Sequence, residues 1–284
     1  MITVLESIKL ATEYLNGKGI ESGRANAELL LADILKCRRL DLYLLFDRPL
    51  TDTELQLYRG FLKRRGIFEP LQYILGKIEF YGIELKVTPD VLIPRPETEL
   101  LVENVLNHLS KENEQLILDI GCGSGNIDIA LALNSEKINV FATDIDEKAL
   151  NLASENAEKH NVASKIKFFR HNILKDESSI FPMFDFVVSN PPYVSKETYL
   201  TLQREIREFE PGIAVSDGGD GYTFYRTISE KISKKIKPKG KLFFEVAEGQ
   251  SNSVVKIMEQ NNFKDITVKK DYQKIDRIVY GEVE

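Results

Sequence analysis

Leu116-Ile117-Leu118-Asp119-Ile120-Gly121-Cys122-Gly123-Ser124-Gly125, residues 116–125, is a short apolar run ending in alternating glycines, and residues 126–133 follow it with a helical pattern. An apolar run of this length, bounded by turn residues, fits a buried strand. The glycines let the chain turn tightly and let a ligand approach with no Cβ in the way. The free N–H groups of a helix start favour an anionic group such as a carboxylate. The spacing is G-x-G-x-G. Asn126 stands where a dinucleotide-binding fingerprint needs Gly or Ala, which speaks against a nicotinamide cofactor. Outward from this unit the pattern repeats. Residues 139–143, 166–169, 184–189 and 242–246 read as further strands, and 147–160 as a helix. Residues 266–268 and 278–279 read as a closing antiparallel pair. Such alternation predicts an α/β fold, a mostly parallel sheet with helices on both faces. Ligands of such sheets bind beyond the carboxyl ends of the strands, near the switch point.

The chain before this sheet has a different pattern. Residues 1–75 read as helices and form a small N-terminal helical domain. Leu5, Ile8 and Leu15 fall near one stripe, and Leu29, Leu30, Ala32, Ile34 and Leu35 form another segment after Ser22. Thr51 with Glu54 fits a capping box, and Pro70 marks a break. Residues 76–90 read as a β-hairpin linker turning at Tyr81-Gly82, and 91–284 as the sheet domain.

Composition narrows the function classes. The 284 residues carry 38 basic and 44 acidic side chains, a formal charge of -6, which does not suggest a broad grip on nucleic acid. With only two cysteines, Cys37 and Cys122, a disulfide scaffold is not expected and a reducing, cytoplasmic location is. No run is long and apolar enough for a membrane span, so no membrane association is expected. The three histidines, His108, His160 and His171, show no ligand spacing, and no metal site is expected.

Two groups of residues carry chemistry. Asp144 ends the second strand of the sheet domain, about 20 residues past the glycines, where a carboxylate accepts hydrogen bonds from ribose hydroxyls. Asp146 is better placed to cap the next helix. Asn172 and Ile173 follow the third strand, where an amide meets an adenine edge and an isoleucine packs on the ring. The second group is Asn190-Pro191-Pro192-Tyr193, straight after the strand at 184–189. Consecutive prolines fix φ and lack N–H, so their carbonyls sit on a rigid segment. With the Asn190 side chain they offer converging acceptors for an NH2 group, and Tyr193 offers a flat face. A conjugated nitrogen is a poor nucleophile, and two such hydrogen bonds orient it and raise its electron density.

At these residues the sequence resembles the HemK/PrmC family, the peptide chain release factor glutamine N5-methyltransferases. Besides Asn190 to Tyr193, the resemblance rests on Phe80-Tyr81-Gly82, Thr88-Pro89-Asp90, Pro94-Arg95-Pro96-Glu97-Thr98-Glu99, Glu210-Pro211, Gly218-Gly219-Asp220-Gly221, Tyr225-Arg226 and Asp276-Arg277. It implies a Rossmann-like class I methyltransferase sheet. It implies S-adenosylmethionine as cofactor, held by Asp119, Gly121, Cys122, Gly123, Ser124, Gly125, Asp144, Asn172, Ile173 and Asn190, with S-adenosylhomocysteine as product. The implied acceptor is the glutamine of the Gly-Gly-Gln motif of peptide chain release factors, held by Asn190, Pro191, Pro192, Tyr193 and Arg95. Residues 94–99 would form a lid or wall over the cofactor, and the N-terminal helices would bind the release factor. Three positions depart from the family pattern: Asn172 stands for a frequent aspartate, Asp128 for a small or apolar residue, and Lys274 for a glycine. The alternative is a nucleic-acid methyltransferase acting on adenine or guanine amino groups, which shares Asn-Pro-Pro-Tyr but must extract its base. Stable nucleic-acid binding is not expected from the acidic balance.

Overall fold

The computed structural model describes residues 2–284. The chain divides into two compact units. One holds the chain up to Lys77 together with Gln203–Phe209, and the other holds Ile78–Leu202 and Glu210–Glu284.

In the first unit, α1 (Val4–Gly17), α2 (Gly23–Leu35), α3 (Asp52–Arg65) and α4 (Leu71–Leu75) enclose a core that includes Ile8, Leu15, Leu30, Leu31 and Leu42. Capping boxes start α1 and α3. At α3 the Thr51 hydroxyl accepts from the Glu54 N–H at 3.3 Å, and the Glu54 carboxylate accepts from the Thr51 N–H at 2.8 Å. The short helix at 204–209 joins this unit through Arg65, only 5% exposed, whose guanidinium donates to Glu205 at 2.6 Å and to Asn26 at 2.7 Å.

β1 (Lys77–Phe80) and β2 (Ile83–Lys86) form the expected hairpin. Its two turn residues, Tyr81 and Gly82, have φ of 49° and 74°, the left-handed pair whose twist suits a two-residue hairpin.

The second unit is built on seven strands: β3 (Gln115–Ile120), β4 (Ile138–Asp144), β5 (Ile166–Arg170), β6 (Phe184–Ser189), β7 (Ile236–Glu245), β8 (Phe263–Lys270) and β9 (Asp276–Val283). Their order is β5-β4-β3-β6-β7-β9-β8. The first five are parallel, while β9 runs antiparallel between β7 and β8. One face packs α5 (Glu97–Leu106), α6 (Asn126–Asn134) and α7 (Glu147–Lys159) through Leu101, Ile129 and Ala153. Along the chain after β6 come α8 (Lys196–Tyr199), then α9 (Arg204–Phe209), the short helix of the first unit, and then α10 (Gly212–Val215). The opposite face packs α11 (Thr223–Ile232) and α12 (Ser251–Gln260) through Ile228, Val254 and Met258. Strand order reverses between β3 and β6, so their carboxyl ends border the crevice such a sheet offers a ligand. Among the described residues, no helix is long and apolar enough to cross a membrane.

Candidate active site

A cavity of about 390 Å³ lies at these strand ends. That is a usual size for a small-molecule site, roughly 300–1,000 Å³. Gly121, Gly123, Asp144, Asn172 and Ile173 line it on one side, and Asn190, Pro191 and Pro192 on the other. The fold therefore brings residues of both chemistry-bearing groups of the sequence to one cavity. Two local bonds hold the strand ends there: the Ser189 hydroxyl donates to the Ile120 carbonyl at 2.7 Å, and Thr143 to that of Asp119 at 3.0 Å.

The Asp144 carboxylate is the fixed point of the first group. One oxygen accepts from the Gly123 N–H and the other from the Asp146 N–H, both at 3.0 Å. Burial raises its pKa, and the bonds from Asp146 and Gly123 work against that rise. The N-cap of α7 belongs to Asp146, whose side chain accepts from the Lys148 N–H at 2.9 Å. Asn172 uses its side-chain oxygen locally, accepting from the Leu174 N–H at 3.0 Å.

Four of the residues expected to hold a cofactor are not on the cavity wall. Asp119 is fully buried and faces Asp128 of α6. Burial and then Coulombic repulsion by Asp128 push the Asp119 carboxyl well up, and burial likewise raises Asp128. The departure at Asp128 thus places a second buried carboxyl beside Asp119. Cys122 packs into the core beneath the sheet. Ser124 is buried, and its carbonyl accepts from Asn156 at 3.0 Å. Gly125 has φ of +78°, and a Cβ there would stand 3.1 Å from that of Ala153 on α7, so glycine is needed for close helix packing.

Tyr193 and Arg95 are also off the cavity wall. Tyr193 packs against the α11–α12 face of the core, its carbonyl accepts from Gln250 at 2.9 Å, and burial raises its phenol. The Arg95 guanidinium is held by the buried Glu210 at 2.5 Å, and Glu210 also accepts from the Ile93 N–H at 3.1 Å. The wall formed by this stretch is Asp90, Val91 and Leu92, not residues 94–99. Thr98 instead reaches Asn190. The Asn190 NH2 donates to the Thr98 hydroxyl at 3.2 Å, and that hydroxyl donates to Glu245 at 2.6 Å.

Sequence reasoning assigned no role to several wall residues, among them His171, Pro211, Ile213, Ser216 and Asp217. The glycines at 218–221 were a signal, since Asp217 organises them. Burial opposes ionisation of Asp217, yet N–H bonds from Gly219, Thr223 and Gly221 hold its carboxyl below the usual range. His171 is buried, its ring held low in pKa by burial, and nothing local in sequence marked it.

Comparison with known proteins adds to this geometry. The family model described as the PrmC N-terminal domain matches residues 6–76, and the methyltransferase small domain matches residues 96–209. The chain is 38% identical over 281 residues to a release factor glutamine methyltransferase of Geobacter sulfurreducens, covering 99% of this chain and 97% of that protein. It is 37% identical over 279 residues to one of Fusobacterium nucleatum, covering 98% and 78%. Among solved structures, a methyltransferase from Pyrococcus furiosus superposes with a TM-score of 0.53 at 17% identity, over 72% of this chain and 90% of that one. At that identity the likeness speaks for the fold alone.

Proposed function

The chain belongs to the release factor glutamine methyltransferase family, and from that premise we propose that it transfers a methyl group from S-adenosylmethionine to the side-chain amide nitrogen (N5) of the Gly-Gly-Gln glutamine in peptide chain release factors. The observation that carries this reading is the convergence of Gly121, Gly123 and Asp144 with Asn190, Pro191 and Pro192 on one cavity.

The residues present fit that cofactor. Positions where a Cβ would stand at Gly121 and Gly123 have nothing within 4 Å, so this side of the loop is open to a ligand. Asp144 would accept from the ribose hydroxyls, Asn172 and Ile173 would border the adenine, and the glycine loop would face the carboxylate end. When bound, S-adenosylmethionine supplies an electrophilic methyl group on a sulfonium centre. This chain's residues supply the positioning. The Asn190 side-chain oxygen and the Pro191 carbonyl accept the two protons of the substrate amide, turning its nitrogen toward the cofactor. Each bond withdraws no proton beforehand but strengthens as positive charge grows on nitrogen, which is differential binding of the transition state. Orientation of this kind is worth up to roughly 7–11 kcal/mol in favourable cases.

The test is transfer of labelled methyl from S-adenosylmethionine to a release factor, beside the same factor with its Gly-Gly-Gln glutamine replaced by alanine, and beside DNA and RNA. Label is expected on the first alone. Label on nucleic acid, with the release factor untouched, overturns the reading.

Docking of the release factor is assigned to the N-terminal helices. Leu40 and Leu44, 74% and 86% exposed on the 3-10 turn at 39–45, support this. Isolated exposed leucines are common, so the pair needs its own test. Replacing both by glutamate is expected to raise KM for release factor about tenfold, as loss of a small interface anchor would. Cofactor affinity should stay unchanged. An unaltered KM removes this surface from the assignment.

A further inference from the structure

We propose that Thr98 and Glu245 are positioning residues for methyl transfer, because an ionised Glu245 sets the direction of the Glu245–Thr98–Asn190 hydrogen-bond chain and so fixes which end of the Asn190 amide faces the substrate. The inference deepens the functional reading above and rests on it.

The chain joins three separate elements. Glu245 ends β7, Thr98 lies in the first turn of α5, and Asn190 leaves β6. Glu245 and Thr98 are 2% and 1% exposed, so water does not compete for their bonds. The links are 2.6 Å from the Thr98 hydroxyl to Glu245 and 3.2 Å from the Asn190 NH2 to that hydroxyl. A carboxylate only accepts, so the Thr98 proton is committed to Glu245. The Thr98 oxygen is then left to accept, and the group that can donate to it is the Asn190 NH2. The Asn190 oxygen, the atom the reaction uses, is thereby turned away from Thr98. Asparagine by itself has no such preference, since its two ends are nearly the same size.

Protonating Glu245 reverses the logic. A carboxylic acid donates, the Thr98 proton is released toward Asn190, and the amide can turn its NH2 to the substrate's own N–H groups. Donor then meets donor. Several groups act on Glu245. Burial raises its pKa, the Thr98 hydrogen bond lowers it, Glu97 raises it, and Arg277 of β9 and Arg95 lower it. The phenols of Tyr193 and Tyr225 stand close by, Tyr225 donating to the Glu245 carbonyl at 2.9 Å. The net result is a carboxyl pushed up to about 7. The switch in direction therefore falls near neutral pH, with the productive arrangement on the alkaline side.

The test is single-turnover methylation of release factor across about pH 6–9, the range that brackets such a group, with cofactor and substrate saturating. The wild-type rate is expected to rise with pH through neutrality. Thr98→Val removes the relay without changing side-chain size and should slow the reaction about tenfold, as loss of a buried hydrogen bond does. Thr98→Ser keeps the hydroxyl and should recover the rate to within about threefold. Glu245→Gln cannot ionise and should lose the neutral-range pH dependence. If Thr98→Val does not fold, the Glu245→Gln profile still decides. A wild-type rate in folded Thr98→Val overturns the positioning role. So does a neutral-range fall that persists in Glu245→Gln, which would belong to a group other than Glu245. A wild type that leaves the glutamine unmodified overturns the functional reading and this inference with it; one that methylates it while Thr98→Val keeps pace overturns the inference alone.

Discussion

Replacing Asn190 by alanine is expected to slow single-turnover methylation of a release factor about 10- to 150-fold, the equivalent of one charge-assisted hydrogen bond of roughly 1.5–3 kcal/mol. The side chain lies half-buried on the cavity wall, beside two prolines that alanine at 190 leaves in place. What is lost is one acceptor whose bond strengthens as the amide nitrogen gains charge. Its absence should therefore appear in kcat measured with both substrates saturating. The loss should exceed that of Thr98→Val, because Thr98 acts only by orienting Asn190. A second acceptor, the Pro191 carbonyl, stays in place, so residual transfer is expected. A folded Asn190→Ala enzyme that turns over at the wild-type rate would rule out the hydrogen-bonding mechanism.

Asp144→Ala should weaken S-adenosylmethionine binding by a similar factor, about 10- to 150-fold, if the carboxylate holds a ribose hydroxyl through a charge-assisted bond of roughly 1.5–3 kcal/mol. The structure adds a second cause. The same carboxylate accepts from the Gly123 N–H and so ties the glycine loop to the end of β4. Alanine removes the ligand contact and the tether together. Asp144→Asn separates them, since its amide oxygen can keep one acceptor role without the charge, and its affinity should fall between the two. Titration calorimetry on folded protein decides, and an unchanged affinity in Asp144→Ala would remove Asp144 from the ribose role.

The two motifs at the strand ends were legible because each is local. An apolar run, a glycine loop and a helical period follow one another within residues 116–133, and Asn190-Pro191-Pro192 sits directly after its strand. The capping box of Thr51 and Glu54 and the cap at Asp146 were readable for the same reason, since both partners lie within one turn. The stretch between β6 and α11 was not readable. Its helices α8, α9 and α10 are too short for a hydrophobic period to show. It nevertheless supplies Pro211, Ile213 and Ser216 to the cavity, and its residues 203–209 group with the N-terminal unit.

The backbone plan is written in the local pattern of the chain: N-terminal helices, a hairpin turning at Tyr81-Gly82, and strands alternating with helices around a glycine loop. Periodicity and turn chemistry are properties of neighbouring residues, and they survive without knowledge of what packs on what. Which residues of those motifs line the cavity depends on packing in three dimensions. Gly121 and Asp144 line it, while Asp119 and Cys122, from the same stretch, turn inward. Only the tertiary structure engaged Arg95 with Glu210, set Asp128 against Asp119, and strung Glu245, Thr98 and Asn190 into one hydrogen-bond chain. The physical reason is that a buried polar group must find its partner in three dimensions, because burial without one is costly. That partner is fixed by the packing of helices on the sheet, which no local stretch of the chain encodes.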